Sequence, residues 1–170
     1  NSIITDERPP GTQKAIFGYG YSSIRTNITN LVSNTGVVAT DTVGVGYARY
    51  NLAAAGYGTD KAIFGFGYTT TSDGGDLAIT ITNLVSNTGV VATDTASVGT
   101  ARRWLAAAGY GTDKAMFGFG NTVITSTKVN TTNLVSNTGV VADDTTGVGT
   151  GRNGLAAAGF GGDKAIFGYG

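Results

Sequence analysis

The sequence predicts an all-β fold assembled from tandem repeats, and three observations support this prediction. The block Thr-Asn-Leu-Val-Ser-Asn-Thr-Gly-Val-Val-Ala occurs at 29–39, at 82–92 and at 132–142. The Lys that opens a second repeated motif falls at positions 14, 61, 114 and 164, which gives a period of roughly 50 residues. Each unit is rich in Gly, Thr, Val and aromatic residues and poor in Glu and Leu, a composition that favours strands over helices.

Each unit contains four predicted strands, named a to d in chain order. Strand a is the short apolar run at 105–110, which we expect to be buried on both faces, and strand b follows a Gly-Thr-Asp turn at 114–119. Strand c ends at 132–135, and strand d lies at 140–142 beyond a Ser-Asn-Thr-Gly loop. Asn and Gly tolerate positive φ, so this loop is typical of a hairpin. Four antiparallel strands in a unit of this length predict a propeller blade.

The order of the motifs resembles the kelch repeat of galactose-oxidase-like β-propellers. The motifs are Arg-x-x-Leu-Ala-Ala-Ala-Gly, then Ala-Ile-Phe-Gly-(Tyr/Phe)-Gly, then Thr-Asn-Leu-Val-Ser-Asn-Thr-Gly-Val-Val. The Arg before strand a, the glycines ending strand b and the turn closing strand c match the kelch pattern. Two features differ, because an aromatic residue splits the kelch glycine pair and Val replaces the kelch Trp. The resemblance covers 14–170 and implies four-stranded kelch-like blades.

The repeats divide the chain into 14–50, 51–103, 104–154 and a partial unit at 155–170. Residues 1–13 carry two prolines and several charges, and they do not fit a buried strand. The chain therefore supplies about three blades, whereas propellers close with typically 4–8. We expect a homo-oligomer, namely a dimer in which strand a at 155–160 completes the partner's first blade to give a six-bladed ring. The alternative is that the chain is a piece of a longer repeat array.

Composition argues against several function classes. The chain has 11 basic and 11 acidic residues, so its net charge is zero, and this argues against nucleic acid as the main partner. It has no His and no Cys, so the usual general base, the thiolate ligands and the copper site of galactose-oxidase-like enzymes are missing. No apolar stretch approaches the ~20 residues of a membrane span. We predict a protein that is not an enzyme and that needs no cofactor.

The repeated carboxylates have two possible roles. Asp60, Asp113 and Asp163 lie in the predicted a–b turns, and another set follows strand d at Asp41, Asp94 and Asp144. The carboxylates would either form a ring of cation sites or have a purely structural role. The structural role is favoured, because Ca²⁺ takes 6–8 oxygen ligands and no local cluster supplies them. In that role, the strand-d carboxylates pair with the arginines before strand a, namely Arg49, Arg102 and Arg152.

The copies differ mainly in the b–c loops and just before strand a, and both regions are expected on one face of the blades. Loops on a rigid scaffold commonly carry binding sites. The candidate partner-binding residues on this face are Trp104, Arg103, Tyr50, Tyr68 and Arg25. Trp104 would either form a stacking platform or fill the gap between neighbouring blades. Phe17, Phe64, Phe117 and Phe167 share one repeat position, and we expect all four in the core.

Gly-rich kelch-like repeats of this style are similar to those of virion-associated propellers of bacteriophages. The resemblance implies a non-enzymatic structural or binding propeller in a tail, fibre or decoration part, located on the virion or outside the cell. Such a protein would contact a glycan or protein receptor. A soluble carbohydrate-binding propeller lectin and a consensus-designed repeat scaffold are the alternatives. A lectin would place the same binding residues in every copy, whereas the variable face differs between copies.

Overall fold

The computed structural model describes residues 14–70, 74–96, 98–122 and 126–170, and the N-terminal segment 1–13 lies outside these ranges. All twelve regular elements in the described residues are strands, so the predicted all-β class is confirmed. The strands are β1 Ala15–Ser22, β2 Ile24–Val32, β3 Ala53–Tyr57, β4 Lys61–Gly65, β5 Tyr68–Thr70, β6 Asp76–Ala78, β7 Thr82–Val85, β8 Ala106–Tyr110, β9 Lys114–Gly118, β10 Thr132–Val135, β11 Ala156–Phe160 and β12 Lys164–Gly168.

The strands pair antiparallel in small sheets that follow the repeats. Sheet 1 contains β1 and β2, sheet 2 has the order β3-β4-β7, sheet 3 has the order β8-β9-β10, and sheet 4 contains β11 and β12. A separate hairpin is formed by β5 and β6. The predicted strands a, b and c are therefore present in sheets 2 and 3, with strand b in the centre. Sheet 1 has strands b and c, and sheet 4 has strands a and b.

The predicted strand d is not a regular strand. The segment pairs with strand c only at isolated bridges, for example Val135↔Val141 and Thr132↔Thr145 in sheet 3. Between these bridges the side-chain amide of Asn133 donates to the carbonyl of Ala142 at 3.1 Å, in place of a backbone donor. The same amide occurs in sheets 1 and 2, at Asn30 and Asn83. A side chain therefore replaces part of the backbone ladder, which shortens the predicted fourth strand to two contact points.

The aromatic residue inside each Gly-x-Gly motif has a left-handed backbone, with φ between 62° and 64° at Tyr19, Phe66, Phe119 and Tyr169. This conformation costs roughly 1–2 kcal/mol for a residue that carries a Cβ. Phe66 is fully buried, and its ring lies 5.2 Å from the ring of Phe117 in the next sheet. Packing therefore offsets the backbone cost, and the bend directs the aromatic ring toward the following sheet.

The core lies between successive sheets rather than inside any one of them. Three clusters of buried residues join sheet 1 to sheet 2, sheet 2 to sheet 3, and sheet 3 to sheet 4, and they centre on Phe64, Phe117 and Phe119. At each junction a strand-b Phe lies over the strand-b glycine of the preceding sheet. A Cβ added to Gly65 would lie 2.5 Å from the ring of Phe117, so the close approach requires glycine there.

One burial prediction is wrong, and a second holds in only one of the three described copies of strand a. Phe17 occupies the same repeat position as buried Phe117 but is 62% exposed, because no sheet covers that side of sheet 1 among the described residues. Burial of strand a on both faces was predicted from 105–110, and no residue of β8 is exposed, whereas Ala54 and Gly56 are exposed in β3 and most of β11 is exposed as well. The reason is that β8 contacts a strand a on either side, namely β3 and β11, whereas among the described copies of strand a β3 and β11 each contact β8 alone.

The first strand has an unpaired edge. Within the described residues β1 pairs with β2 alone, whereas β4 and β9 each have strand a on the other side. A groove of about 750 Å³ borders this part of the molecule, lined by Ile16, Ala54 and Gly56 among others. Exchange of strand a between two copies stays a prediction.

The position-specific burial of the repeated Phe gives a testable difference. Phe117→Ala should lower the free energy of unfolding by about 3–5 kcal/mol, because it empties the junction between sheets 2 and 3. Phe17→Ala is the matched control and should change it by less than about 1 kcal/mol, since its side chain is mainly exposed. Urea unfolding of both variants at low protein concentration measures the two values. Equal losses would contradict the assignment of the core to the sheet junctions.

Candidate functional site

The arginines before strand a join neighbouring sheets. Arg49 and Arg102 are fully buried, and their guanidinium groups lie over the rings of Tyr19 at 4.1 Å and Phe66 at 4.6 Å. These rings belong to the preceding sheet in each case. Arg49 also donates a 2.7 Å hydrogen bond to Asn83 of its own sheet. A buried cation that is stacked and hydrogen-bonded in this way ties two sheets together.

The strand-d carboxylates complete this arrangement to different degrees. Asp144 lies 3.4 Å from Arg102, and Asp94 reaches Arg49 through Asn83, which donates to it at 2.9 Å. Asp41 accepts a 2.8 Å bond from Asn30, and the described residues place no arginine against it. The third arginine site differs as well, because Arg152 is half-buried over the ring of Phe119 at 5.1 Å.

The charges of Arg102, which is buried, and Asp144, which is partly exposed, depend on each other. Burial lowers the pKa of Arg102, and the negative charge and hydrogen bond of Asp144 oppose that shift. Burial raises the pKa of Asp144, but hydrogen bonds from Thr100 and Asn133 and the charge of Arg102 outweigh burial, so the pKa lies below the usual 3.8. A carboxyl group with a lowered pKa stabilises the fold as the anion. That stabilisation is complete above pH 3.8 and is lost as the pH falls through the pKa of the folded state.

We therefore predict an acid-dependent loss of stability that Asp144 carries. Asp144→Asn should lower the free energy of unfolding at neutral pH by up to about 1 kcal/mol, a small value because partial exposure screens the charge. It should also flatten the decrease in stability below pH 3.8. Asp41→Asn, at the same repeat position without an arginine, is the control. Urea unfolding across the pH range tests this, and identical pH profiles for Asp144→Asn and the unchanged protein would contradict it.

The candidate binding residues come together at the end of the hairpins opposite the a–b turns. Tyr50 and Tyr68 form an antiparallel bridge with hydrogen bonds of 3.0 and 2.8 Å, which extends the β3–β4 hairpin. Their rings meet edge to face with centroids 5.4 Å apart. Tyr21, which follows β1's Gly-x-Gly motif, tilts against Tyr50 at 5.3 Å. Three tyrosine rings thus form a continuous row across sheets 1 and 2.

Sheet 3 continues this row with an arginine and a tryptophan. The guanidinium of Arg103 lies between two rings, 4.3 Å from Tyr68 and 4.1 Å from Trp104. The Nε of Arg103 is buried and has no hydrogen-bond partner among the described residues. We call the five residues Tyr21, Tyr50, Tyr68, Arg103 and Trp104 the aromatic ladder. It alternates flat apolar faces with one positive charge.

The two ends of the aromatic ladder are accessible, whereas its centre is closed. Tyr21 is exposed, Trp104 is 38% exposed, and Tyr68 is buried beneath its neighbours. Stacking of a planar or apolar ligand group on the exposed rings is therefore possible, and Arg103 supplies attraction for an anionic group. Such a surface binds by stacking and charge, and it carries no group suited to proton transfer near neutral pH.

The backbone of Trp104 is strained. Its φ is 54°, and the equivalent positions in the other repeats are Asn51 at 54° and Gly154 at 66°. Asn and Gly adopt this left-handed conformation readily, whereas a bulky residue adopts it rarely. Backbone hydrogen bonds of 3.0 Å to Asn51 and 2.9 Å from Gly154 hold Trp104 in place. Strain of this kind at an exposed aromatic residue is typical of binding sites.

Four of the five predicted binding residues, namely Tyr50, Tyr68, Arg103 and Trp104, make direct ring contacts with one another. Arg25 lies beside the group, opposite Tyr21 in the register of sheet 1. Tyr21 was not among the predicted binding residues, although a signal was present in the sequence. It follows a Gly-x-Gly motif directly, as Tyr68 does in the next repeat.

The opposite end of the hairpins is uniform. Asn87 donates to Asp60 at 3.1 Å, and Asn137 donates to Asp113 at 3.0 Å, so the c–d loops of sheets 2 and 3 are each fixed to an a–b turn. These carboxylates therefore have structural partners. No group of three or more side chains that could hold a metal ion occurs in the part of the chain that the structure describes. Across the same ranges, no helix has the length and hydropathy needed to span a membrane.

Comparison with known proteins identifies no family for this chain. No family model and no curated protein matches the chain. Among solved structures, a protein of unknown function from Bacteroides caccae is similar over 91% of this chain, with 11% sequence identity and a TM-score of 0.29. The chain covers 64% of the length of that structure. A likeness of this size supports no argument, so the kelch resemblance stays a prediction from the sequence.

The strained tryptophan gives a prediction about stability. Trp104→Gly and Trp104→Ala both remove the indole ring, but only glycine adopts positive φ without steric cost. The glycine variant should therefore be more stable than the alanine variant by about 1–2 kcal/mol. Urea unfolding of the two variants measures this difference. An alanine variant as stable as the glycine variant would show that the backbone at Trp104 is not strained.

Proposed function

We propose that this chain is a non-enzymatic binding module of the kelch-like propeller type, which contacts one partner through the aromatic ladder. The observation that carries the proposal is the continuous stack from Tyr21 to Trp104, with Arg103 held between two rings. The stack is assembled from three sheets, so a rigid repeat scaffold fixes its geometry in advance. A site that is ordered before binding loses less conformational entropy when the partner binds.

The propeller architecture is part of this proposal and has specific support. Strands a of successive sheets lie side by side, because a Cβ on Gly109 would approach the carbonyl of Gly56 at 3.4 Å and one on Gly159 would approach that of Gly109 at 3.2 Å. A propeller requires small inner strands of this kind, since its blades converge toward the axis. The order of strands a, b and c within sheets 2 and 3 agrees with a propeller blade.

A single partner fits the ladder better than a set of repeated sugar sites. The residue after the Gly-x-Gly motif is Tyr21, Tyr68 or Asn121, and the residue two before strand a's Leu is Tyr50, Arg103 or Asn153. The ladder therefore occurs once and ends at sheet 3. A propeller lectin would repeat its site in each blade. On this ground we favour a receptor or partner protein, and from the resemblance to phage virion proteins we propose that such a module lies on the virion surface.

Trp104 is the single tryptophan of the chain, so its fluorescence reports binding at the ladder directly. We expect a ligand found by screening bacterial surface proteins and a glycan array to change that emission on titration. Trp104→Ala and Arg103→Ala should each weaken binding of the same ligand at least about tenfold, which is the loss expected for residues at the centre of an interface. Calorimetry measures affinity for the variants that lack tryptophan.

The matched control is Asn87→Ala, which releases a c–d loop at the opposite end of the hairpins. It should leave affinity unchanged while it lowers stability slightly. A protein ligand supports the proposal as stated, and a glycan that needs the ladder favours the lectin alternative. Equal loss of affinity from Trp104→Ala and Asn87→Ala, with both variants folded, would refute a site at the ladder.

A further inference from the structure

We propose that copies of this chain dock head to tail, with Phe17 of one copy seated over Gly168 of the next. The outer faces of sheet 1 and sheet 4 would then form a fourth junction of the type that already joins the four sheets. This interaction is separate from the aromatic ladder and does not depend on what the ladder binds.

The internal junctions define what each face accepts. Phe64 lies over Gly18, Phe117 over Gly65 and Phe167 over Gly118, and a Cβ on any of these glycines would meet the ring at 2.5 to 3.0 Å. Each seated Phe also meets the left-handed aromatic residue that follows the glycine. Those ring pairs are Tyr19–Phe64 at 5.2 Å, Phe66–Phe117 at 5.2 Å and Phe119–Phe167 at 5.7 Å.

The two outer faces carry the two unmatched halves of this contact. Phe17 is the strand-b Phe of sheet 1 and is 62% exposed. Gly168 is the strand-b glycine of sheet 4, and a Cβ there would meet nothing within 4 Å. The left-handed aromatic residue that follows it, Tyr169, is 89% exposed. Within the described residues, sheet 1 therefore carries a strand-b Phe that lies over no glycine, and sheet 4 carries the equivalent glycine with no Phe over it.

A second contact, seen at the junction of sheets 2 and 3, also has its two halves on the outer sheets. The c–d loop glycine of sheet 3, Gly139, lies close to Tyr57 of strand a in sheet 2, since its Cβ would approach the phenol oxygen at 3.0 Å. The equivalent loop glycine of sheet 1, Gly36, has nothing within 4 Å. The equivalent aromatic residue of sheet 4, Phe160, is exposed. If sheet 1 of one copy docked on sheet 4 of another, the contact of Phe17 with Gly168 and the contact of Gly36 with Phe160 would form together.

A second copy is the occupant we infer, because the chain itself carries both halves of the interface. Large apolar side chains are exposed on both sheets, for example Phe17 on sheet 1 and Phe160 and Ile166 on sheet 4, and a net charge of zero offers little repulsion between copies. Because the two faces are different, the contact is heterologous, so it produces a closed ring or an open chain rather than an isologous dimer. The relation between copies would be the same as the relation between successive repeats.

The test uses sedimentation velocity of the full 170-residue chain over a range of concentrations. We expect the unchanged protein to associate, and we expect Phe17→Ser and Gly168→Leu each to abolish association. Gly168→Leu should not disturb the single copy, because Gly168 has open space around it and its φ lies outside the left-handed region. Val148→Ser is the control, since Val148 is 94% exposed and belongs to none of the strands of sheets 1 and 4.

Mixing the two disabled variants gives the decisive result. Phe17→Ser keeps an intact Gly168 face, and Gly168→Leu keeps an intact Phe17, so the mixture should form a one-to-one complex although neither variant associates alone. A monomeric unchanged chain at all concentrations would overturn the proposal and would leave further repeats of the same type as the occupants of these faces. Association that survives both substitutions would also overturn it, and would favour exchange of strand a instead.

Discussion

The rest of the structure depends on the contact between a phenylalanine ring and the glycine of the preceding sheet. A sheet of two or three short strands has too little apolar surface to be stable alone, so each sheet has to bury its residues against a neighbour. The glycine brings the two backbones close enough for the ring to fill the space between them. Gly65 and Phe117 show why neither partner can change independently, because any Cβ would occupy the position of the ring.

The buried arginines limit how the sheets are oriented. Taking a guanidinium out of water is costly, and Arg102 recovers that cost only where a ring, an amide oxygen and a carboxylate surround it together. These groups come from two sheets, so a shift of one sheet would leave a buried charge without partners. The same requirement explains why the asparagine of strand c is repeated. Asn133 accepts from Arg102 and donates to Asp144 and Ala142, which uses both ends of its amide.

The aromatic ladder lies where these constraints are weakest. Tyr50 and Arg103 are at the ends of hairpins, beyond the Phe-on-Gly contacts, so their identity can differ between repeats without loss of the core. The backbone there is still fixed, because the bridges Tyr50↔Tyr68 and Arg103↔Asn121 continue the hairpins. A fixed backbone with variable side chains is what a binding surface on a repeat scaffold requires. The left-handed Trp104 shows that stability is lost at this point in favour of an exposed ring.

Periodicity in the sequence predicted the structural features that depend only on the backbone and on the local residue pattern. The order of strands a, b and c, the Ser-Asn-Thr-Gly loop and the grouping of the variable residues at one end of the hairpins all follow from spacing alone.

Features that depend on a neighbouring sheet were not predictable in this way. Phe17 and Phe117 are identical in repeat position, yet their burial differs because, among the described residues, only Phe117 has a preceding sheet to pack on. Strand d was predicted as a regular strand and is not one, because the amide of Asn133 takes over a backbone hydrogen bond that the pattern assigns to a strand. The ring contacts of Tyr21 depend on the spacing between sheets, which is a property of the assembled repeats and not of any one of them.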